Sequence, residues 1–365
     1  MSKKKQRIML IVLALIVFVI ILCSILFAGK SKEENVKIGF ILSGSIDENG
    51  WNGMHYQGFK ASCEKLGVKM LIKENVKEFS GECENAIHEL VQDGASMIIL
   101  SSYGYSEEAY DVVQQYPEIV FYGNSSEYHN SNMTSYFARM YQTRYLAGII
   151  AGIKTETNQI GYVAAMENNE VNRGINAFTL GVRRANPDAF VHVFWTNSWD
   201  DEEKETNATK TLIEKVGVDV VTYHQNQNYV IREAEKQGIY SIGYHVASEE
   251  MSSKYLTSVV CNWELLYEEI IKQYLQGKGN SIENYWLGID KAVVGLSEYS
   301  EEITPDIIKE VENATQELYK GKEVFANVIY DNSGQLRCGE NETIRDEILL
   351  EEFDWFVEGV KIYED

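Results

Sequence analysis

The chain has 365 residues, of which 45% are hydrophobic and 24% charged, a composition typical of globular proteins and not of disordered ones. Its formal net charge is −22, although residues 1–30 carry only basic charged side chains, so the rest of the chain is more acidic still. An acidic surface repels phosphate backbones, which argues against nucleic acid as a partner. It also disfavours a strongly anionic ligand, unless a local basic pocket exists.

The amino terminus contains a possible membrane segment. Residues 8–28 carry no charge, and at about 1.5 Å per residue they could span a hydrocarbon core of about 30 Å. Basic side chains at positions 3, 4, 5 and 7 precede this run, so the positive-inside rule keeps the amino end in the cytoplasm. The chain after Lys30 is then expected on the outer face of the cytoplasmic membrane.

Three kinds of processing fit this segment. It could be an uncleaved signal anchor, which suits its length, or a lipoprotein signal with Cys23 as the lipidated residue. Leu22 is large for the position before a lipidated cysteine. Ordinary cleavage after Ala28 is the third alternative. All three leave a soluble domain outside, held by residues 8–28 or by lipid on Cys23, or released.

Four cysteines lie in the exported part, at positions 63, 83, 261 and 338. Their even number permits disulfides in an oxidising compartment, but no CxxC occurs and the spacing matches no zinc pattern. Buried or unpaired thiols are the favoured interpretation. If a pair forms, Cys63 with Cys83 is the more plausible one, because they lie on the first two predicted helices, Trp51–Leu66 and the helix that Ser80 caps and that runs to Gln92.

Strand-like and helix-like segments alternate from residue 36 onward. This alternation predicts two α/β lobes, each with a parallel sheet covered by helices on both faces. The predicted strands are 36–43, 68–73, 96–100, 119–123, 132–138, 159–164, 190–195, 218–224, 239–244, 256–260 and 292–296. The expected domains are an anchor at 1–35, a first lobe of 36–131 plus 261–290, and a second lobe of 132–260 plus about 291–365.

Ligands of doubly wound sheets lie beyond the carboxyl ends of the strands. The corresponding segments here are rich in aromatic and uncharged hydrogen-bonding residues, and are 43–52, 101–105, 123–125, 164–168, 195–199, 224–228 and 244–247. Aromatic walls with amide and hydroxyl groups suit a flat, neutral, polar ligand such as a heterocycle or nucleoside.

Motifs for catalysis or cofactor binding are missing from the sequence. It lacks GxGxxG after the first strand, the P-loop lysine pattern, the GxSxG elbow and HExxH. His224 and His245 end neighbouring predicted strands, where they suit a polar cleft or a structural role better than a metal pair without a third ligand. The sequence therefore predicts no enzyme activity, no metal and no cofactor.

Several segments resemble one protein family. Residues 46–52, Ile-Asp-Glu-Asn-Gly-Trp-Asn, are similar to the first-loop motif of the basic membrane protein (Bmp) family of ABC-transporter substrate-binding proteins, and Arg-Tyr-Leu-Ala-Gly at 144–148 resembles its Tyr-Leu-Ala-Gly helix. The nucleobase-type branch is matched by 102–105, 171–181, 195–199 and 262–263. The resemblance runs in order from residue 36 to about 300. It implies the type I periplasmic-binding-protein architecture of two Rossmann-like lobes, closing on a purine nucleobase or nucleoside that is passed to a permease and its ATPase.

The sequence departs from the family at three places. His245 stands where the family commonly has an acid, and Cys261 stands where the nucleoside branch has a lysine. The turn at residues 224–227 reads His-Gln-Asn-Gln, which differs from the family's turn at this place. Since the resemblance implies that the acid and the lysine bind ribose hydroxyls, their replacement leads us to expect that a free base binds at least as well as its nucleoside. Gln225 and Asn226 can instead offer paired donors and acceptors to a base edge.

The candidate site combines these residues. Trp51 is expected to stack on the ligand, Asn52 to read its edge or cap the following helix, and Arg173 to polarise a carbonyl. Tyr103 and Tyr105 alternate, so at most one is expected to face the cleft, and Trp263 belongs to the site or to hinge packing. The candidate ligand-binding residues are Asp47, Trp51, Asn52, Tyr103, Tyr105, Arg173, Trp199, Gln225, Asn226, His245 and Trp263.

Three classes of function compete at this point. The favoured one is a transporter-linked binding protein, and the second is a membrane-anchored sensor that uses the same fold to report ligand to a partner. The third, an extracellular enzyme acting on purines, has no catalytic dyad or metal site in the sequence to support it.

Overall fold

The computed structural model describes residues 36–125, 128, 130–245, 251–279 and 284–363. The predicted anchor at 1–35, with Cys23, lies outside these described residues. Within them, no helix combines the length and the apolar character needed to cross a bilayer.

The first lobe is built on a six-stranded parallel sheet with the order β11-β5-β4-β3-β1-β2. Its strands are β1 Lys37–Ile41, β2 Lys69–Lys73, β3 Met97–Leu100, β4 Val120–Asn124, β5 Met133–Ala138 and β11 Asn284–Leu287. Its helices are α1 Trp51–Leu66, α2 Glu82–Gln92, α3 Tyr105–Val113 and α8 Trp263–Leu275. Side chains alternate across the sheet, so Ile38 and Phe40 belong to the core beneath α1 and α8, and Ile41 to the core beneath α2 and α3.

The second lobe has a seven-stranded sheet with the order β12-β10-β9-β8-β6-β7-β15, in which only β12 is antiparallel to its neighbour. Its strands are β6 Gln159–Ala164, β7 Phe190–Trp195, β8 Val220–His224, β9 Tyr240–Tyr244, β10 Tyr255–Cys261, β12 Val294–Leu296 and β15 Val360–Ile362. Its helices are α4 Met140–Lys154, α5 Asn169–Ala185, α6 Glu202–Thr211, α7 Tyr229–Gln237, α9 Pro305–Tyr319 and α10 Asp346–Glu351. A π-helical turn, Leu212–Val216, prolongs α6, the 3-10 turn Ile289–Lys291 precedes β12, and a small hairpin pairs β13 Ile329–Tyr330 with β14 Leu336–Cys338.

Helices α4 and α5 pack at backbone contact, as the small residues of α4 suggest. A Cβ on Gly148 would lie 2.0 Å from the Phe178 carbonyl oxygen, and one on Gly181 would lie 2.0 Å from the Tyr145 carbonyl oxygen. Only glycine permits this approach, which holds the second half of α5 against α4. Glu170, in the first turn of α5, lines the cavity described below.

The chain passes between the lobes three times within the described residues. It crosses at Arg139 between β5 and α4, at Asn262 between β10 and α8, and at 288–293 between β11 and β12. The Arg139 N–H donates to the Leu287 carbonyl oxygen at 2.8 Å, and the Asn262 N–H donates to the Val293 carbonyl oxygen at 2.7 Å. The three crossings therefore lie side by side, as in a hinge.

One strand belongs to a different sheet from the one expected. The domain bounds expected from the sequence place residues 132–260 in the second lobe. In the structure, β5 pairs with β4 in the first sheet, with Met133 opposite Phe121. The alternation of strands and helices does not indicate which sheet a strand joins, and the first crossing comes after β5, at Arg139. Helix α8 and strand β11 lie in the first lobe, inside the segment 261–290 assigned to it.

The four cysteines of the described chain are unpaired and buried. The suggested Cys63–Cys83 disulfide is not formed, because α1 and α2 lie on opposite faces of the first sheet and these thiols belong to separate cores. Burial raises the pKa of all four thiols, to about 12 for Cys63.

Candidate functional site

A cavity of ≈ 340 Å³ lies between the lobes, at the carboxyl ends of their strands. The first lobe contributes Trp51, Ser102, Tyr103 and Asn124, and the second contributes Glu170, Trp199, His224, Gln225, Asn226 and Tyr244. The backbone N–H of Trp51 donates to the Asn226 carbonyl oxygen at 3.4 Å, so the lobes are in contact across the cleft.

Trp51 forms the wall of the first lobe. It is the first residue of α1, and its indole Nε1–H donates to the Ser101 carbonyl oxygen at 3.0 Å. Its ring centroid lies 4.1 Å from that of His55, 5.0 Å from that of His245 and 5.5 Å from that of Trp263. These contacts fix the orientation of the ring at the cavity wall.

Trp199 gives the second lobe its own aromatic wall. It follows β7, is partly exposed, and its ring centroid lies 6.2 Å from that of His224. Its carbonyl oxygen accepts a hydrogen bond from the Asn226 N–H at 2.9 Å, which ties it to the turn after β8. The cavity therefore has one indole from each lobe.

Several buried polar atoms at the cavity have no hydrogen-bond partner among the described residues. They include both amide atoms of Asn124, which lies beside the Tyr136 hydroxyl, and the Tyr244 hydroxyl. Gln225 donates from Nε2 to Thr196 Oγ1 at 2.8 Å, which leaves its Oε1 without a partner. Buried polar groups are nearly always hydrogen-bonded in folded proteins, so this concentration of unpaired atoms indicates a polar ligand.

A carboxylate and a histidine lie at the inner end of the cavity. Glu170, in the first turn of α5, has its Oε1 3.4 Å from Nε2 of His224, and both side chains are buried. Burial lowers the pKa of His224, which is therefore neutral near pH 7. Within the described part of the chain, no three His, Cys, Asp or Glu side chains form a group that could bind a metal ion.

The structure brings five of the predicted residues to the cavity wall, namely Trp51, Tyr103, Trp199, Gln225 and Asn226. His245 and Trp263 are buried in contact with Trp51, one layer behind the wall. Asn52 is also behind it, where its Nδ2 donates to Glu48 Oε2 at 2.8 Å and so orders the first loop. Asp47 is exposed and lies outside the set of lining residues.

Tyr105 and Arg173 are placed elsewhere than predicted. Tyr105 begins α3, is fully buried in the core beneath α2 and α3, and donates its hydroxyl to the Val76 carbonyl oxygen. Arg173 donates from Nη1 to the Leu349 carbonyl oxygen at 2.6 Å, and its guanidinium lies 5.0 Å from the Trp286 ring. It therefore contacts the carboxyl-terminal segment and not the main cavity.

Other site residues were not predicted from the sequence. Asn124 lies within the strand-end segment 123–125, and Glu170 lies two residues beyond the segment 164–168, so the strand-end rule could have indicated both. Arg144 and Tyr244 are buried beside each other, with the guanidinium 4.0 Å from the Tyr244 ring centroid. His55 lies one turn after Trp51 on α1, and this helical spacing is the only feature of the sequence that indicates its closeness to the site.

The buried histidines predict a dependence of stability on pH. Burial holds the pKa of His55, His192, His224 and His245 below the ordinary value of about 6.5. Below that pH the unfolded chain takes up protons that the folded chain does not, so the free energy of unfolding should fall, by up to about 1.4 kcal/mol per pH unit for each histidine.

Urea denaturation between about pH 8 and pH 5 measures this dependence. His245→Gln is expected to reduce the slope of the free energy of unfolding against pH, because it removes one of the four histidines. A free energy of unfolding that stays constant down to pH 5 would contradict the prediction.

Comparison with known proteins identifies the family of this chain. The sequence matches the model of the Bmp family, the PnrA-like ABC transporter substrate-binding proteins, over residues 35–326. It is also 33% identical to a purine-binding protein of Brucella abortus over 337 residues, which cover 90% of this chain and 93% of that protein. The chain belongs to the Bmp family of ABC transporter substrate-binding proteins. The resemblance inferred from the first-loop and Tyr-Leu-Ala-Gly motifs is thereby confirmed.

Other relatives of this chain carry different names. A Haloferax volcanii protein named for a proposed glucose-binding role in an ABC transporter is 29% identical over 91% of this chain and 82% of that protein. The transcriptional activator protein med of Bacillus subtilis is 28% identical over 76% of this chain and 86% of that protein. This chain is therefore similar to proteins whose names indicate different ligands and roles.

Solved structures confirm the expected α/β class with two parallel-sheet lobes. A transcriptional activator of the comK gene from Bacillus halodurans superimposes with a TM-score of 0.68 at 24% identity, covering 79% of this chain and 99% of that one. An ABC transporter solute-binding protein from Aeropyrum pernix gives a TM-score of 0.65 at 20% identity, covering 78% and 92%. At these identities the likeness concerns the fold alone.

Proposed function

We propose that this Bmp-family protein is the extracytoplasmic solute-binding component of an ABC importer and that it captures a purine base between its lobes. The observation that carries the proposal is the interlobe cavity, with an indole from each lobe and unpaired atoms on Asn124, Gln225 and Tyr244. Stacking on Trp51 or Trp199 suits a planar ring, and amide and phenol groups suit a nitrogen heterocycle. The purine-binding name of the Brucella abortus relative supports the same ligand class.

The lobes are proposed to close on the ligand by bending at the three crossings. A permease and an ATPase subunit would then receive the base from the closed form. We place the protein at the outer face of the cytoplasmic membrane, attached through residues 8–28 or through lipid on Cys23, positions outside the described residues. The ligand-binding residues proposed from the geometry are Trp51, Tyr103, Asn124, Trp199, Gln225, Asn226 and Tyr244.

A free base is expected to bind at least as well as its nucleoside. His245 and Cys261 stand at the positions where the family resemblance implies an acid and a lysine for ribose, and both side chains are buried behind the cavity wall. Ribose therefore meets neither the acid nor the lysine that the resemblance implies at these two positions.

Thermal denaturation with bases, ribosides and sugars tests the proposal, and calorimetry ranks the ligands that bind. A ligand at a hundredfold excess over its Kd should stabilise the folded protein by about 2.7 kcal/mol. We expect stabilisation by at least one purine base, with a Kd no higher than that of its riboside. Stabilisation by glucose and by no purine would overturn the purine assignment, and a riboside preferred by about tenfold or more would overturn the account of ribose.

A membrane-anchored sensor is the second candidate function. It is favoured by the likeness to the Bacillus subtilis protein named a transcriptional activator over 76% of this chain. Uptake of radiolabelled base by cells with and without the protein separates the two roles. Loss of uptake supports the importer, whereas normal uptake with base-dependent changes in transcription supports the sensor.

A further inference from the structure

A smaller cavity adjoins the ligand cavity at its inner end. We refer to it as the inner pocket; its empty volume is ≈ 210 Å³ and it lies against the Arg139 crossing. It is lined by Phe137, Met140, Tyr141, Arg144, Glu170, Arg173, Gly174 and His224. Glu170 and His224 line both cavities, so a substituent on a bound ligand can point from one toward the other.

Arg144 is a buried charged residue of the inner pocket with unpaired N–H donors. Its side chain is 1% exposed, and its Nε and Nη2 have no hydrogen-bond partner among the described residues. Its Nη1 reaches only Thr222 Oγ1, at 3.4 Å, and its guanidinium lies 4.0 Å from the Tyr244 ring centroid and 5.4 Å from that of Tyr162. A buried guanidinium is a donor without acceptor capacity, and leaving its N–H groups unpaired is costly.

The inner pocket has more donors than acceptors. Nη2 of Arg173 is also unpaired there. Glu170 supplies the one carboxylate among the lining residues, and its Oε1 lies 3.4 Å from Nε2 of His224, so the neutral imidazole carries its proton on Nε2 and its unpaired Nδ1 is an acceptor. Two guanidinium groups against one carboxylate and one imidazole nitrogen make this a local basic pocket in an acidic protein, with more N–H donors than acceptors among the described residues.

We propose that the inner pocket receives the oxygen of an oxo substituent on the ligand, so that the protein selects oxopurines over adenine and over unsubstituted purine. The inference rests on the proposed function and adds to it the class of purine. A carbonyl oxygen accepts hydrogen bonds from guanidinium N–H groups, whereas the exocyclic amine of adenine brings further donors to a site that already has too many. Rejecting the wrong donor pattern is an effective source of specificity, because it leaves buried groups unpaired.

Gly174 provides a way to alter the pocket without removing a charge. It lies in α5, and a Cβ at this position would be 3.4 Å from the Tyr162 hydroxyl and 3.5 Å from Nδ1 of His224. Both distances are ordinary contacts, so Gly174→Ala fits the fold and should stabilise the helix. The added methyl group would occupy the space that we assign to the ligand oxygen.

Calorimetry with hypoxanthine, adenine and unsubstituted purine tests the inference on the purified protein and three variants. For the wild type we expect hypoxanthine to bind about tenfold or more tightly than either other base, which is one decade or about 1.4 kcal/mol. Arg144→Met and Gly174→Ala should each reduce this ratio to about twofold or less. Gly295→Ala, on β12 with open space around the new methyl group, should keep the wild-type ratio.

The possible outcomes separate this inference from the proposed function. If no base binds the wild type, the proposed function fails and the inference fails with it. If the three bases bind equally well, or if both variants keep the preference for hypoxanthine, the inference is wrong and the proposed function stands. Should Arg144→Met not fold, Gly174→Ala decides the matter alone.

Discussion

Gly50→Ala is expected to weaken ligand binding by about a hundredfold or more, which is about 2.8 kcal/mol. Gly50 precedes α1 at the interface between the lobes, and a Cβ there would lie 1.8 Å from the carbonyl oxygen of Asn226. Real Cβ atoms essentially never approach another atom closer than 3.0 Å, so the lobes cannot reach the contact that joins Trp51 to Asn226. The variant should bind ligand with one lobe only.

The fold of the Gly50→Ala variant should be intact, because an open form has no clash. Its Tm without ligand is therefore expected to match that of the wild type, and small-angle scattering should show no compaction on adding the base. Asn49→Ala is the matched control, since residue 49 is exposed on the same loop. Wild-type affinity in Gly50→Ala would show that binding does not need the interlobe contact.

Trp51→Ala is expected to lower both affinity and stability. Stacking of a base on an aromatic ring is worth about 1–3 kcal/mol, which corresponds to a loss of roughly tenfold to hundredfold in binding. The ring is only 9% exposed and packs on His55 and Trp263, so its removal should also cost about 3–5 kcal/mol in the free energy of unfolding.

Two further variants separate the effects at Trp51. Trp51→Phe keeps a planar ring and loses the hydrogen bond to the Ser101 carbonyl oxygen, so it should recover part of the affinity. Trp355→Ala removes an indole that is 8% exposed in the carboxyl-terminal segment, and it should lower stability without changing affinity. Calorimetry and urea denaturation measure the two quantities, and a Trp51→Ala variant with normal affinity would exclude the stacking role.

Much of the fold could be predicted from the sequence because its units are long and regular. The helix Trp51–Leu66 begins with strong helical spacing and ends at Gly67, whose φ of 68° suits a glycine C-cap, and its predicted bounds agree with the structure. The strand Asn284–Leu287 was not predicted, because four residues carry too little pattern. Its place in the sheet depends on pairing with Met133–Ala138, a contact that is distant in sequence.

The site could be predicted in outline, because the carboxyl ends of parallel strands lie together at one edge of a sheet and ligands bind there. Trp51, Trp199 and Gln225 follow strands in both descriptions and line the cavity. Tyr105 lies in the core because α3 begins at that residue, which turns its side chain toward the helix layer. Arg173 contacts Leu349, a partner that no local pattern around α5 could have indicated.

The separation of the four cysteines has a consequence for how the protein matures. Cys63, Cys83, Cys261 and Cys338 are buried on different elements, and their raised pKa values leave very little thiolate to react. An exported chain usually meets oxidants and disulfide exchange while it folds. No disulfide joins these four cysteines of the described residues, so this domain needs neither an oxidase nor an isomerase to pair them, and once folded it should be indifferent to reductants in its surroundings.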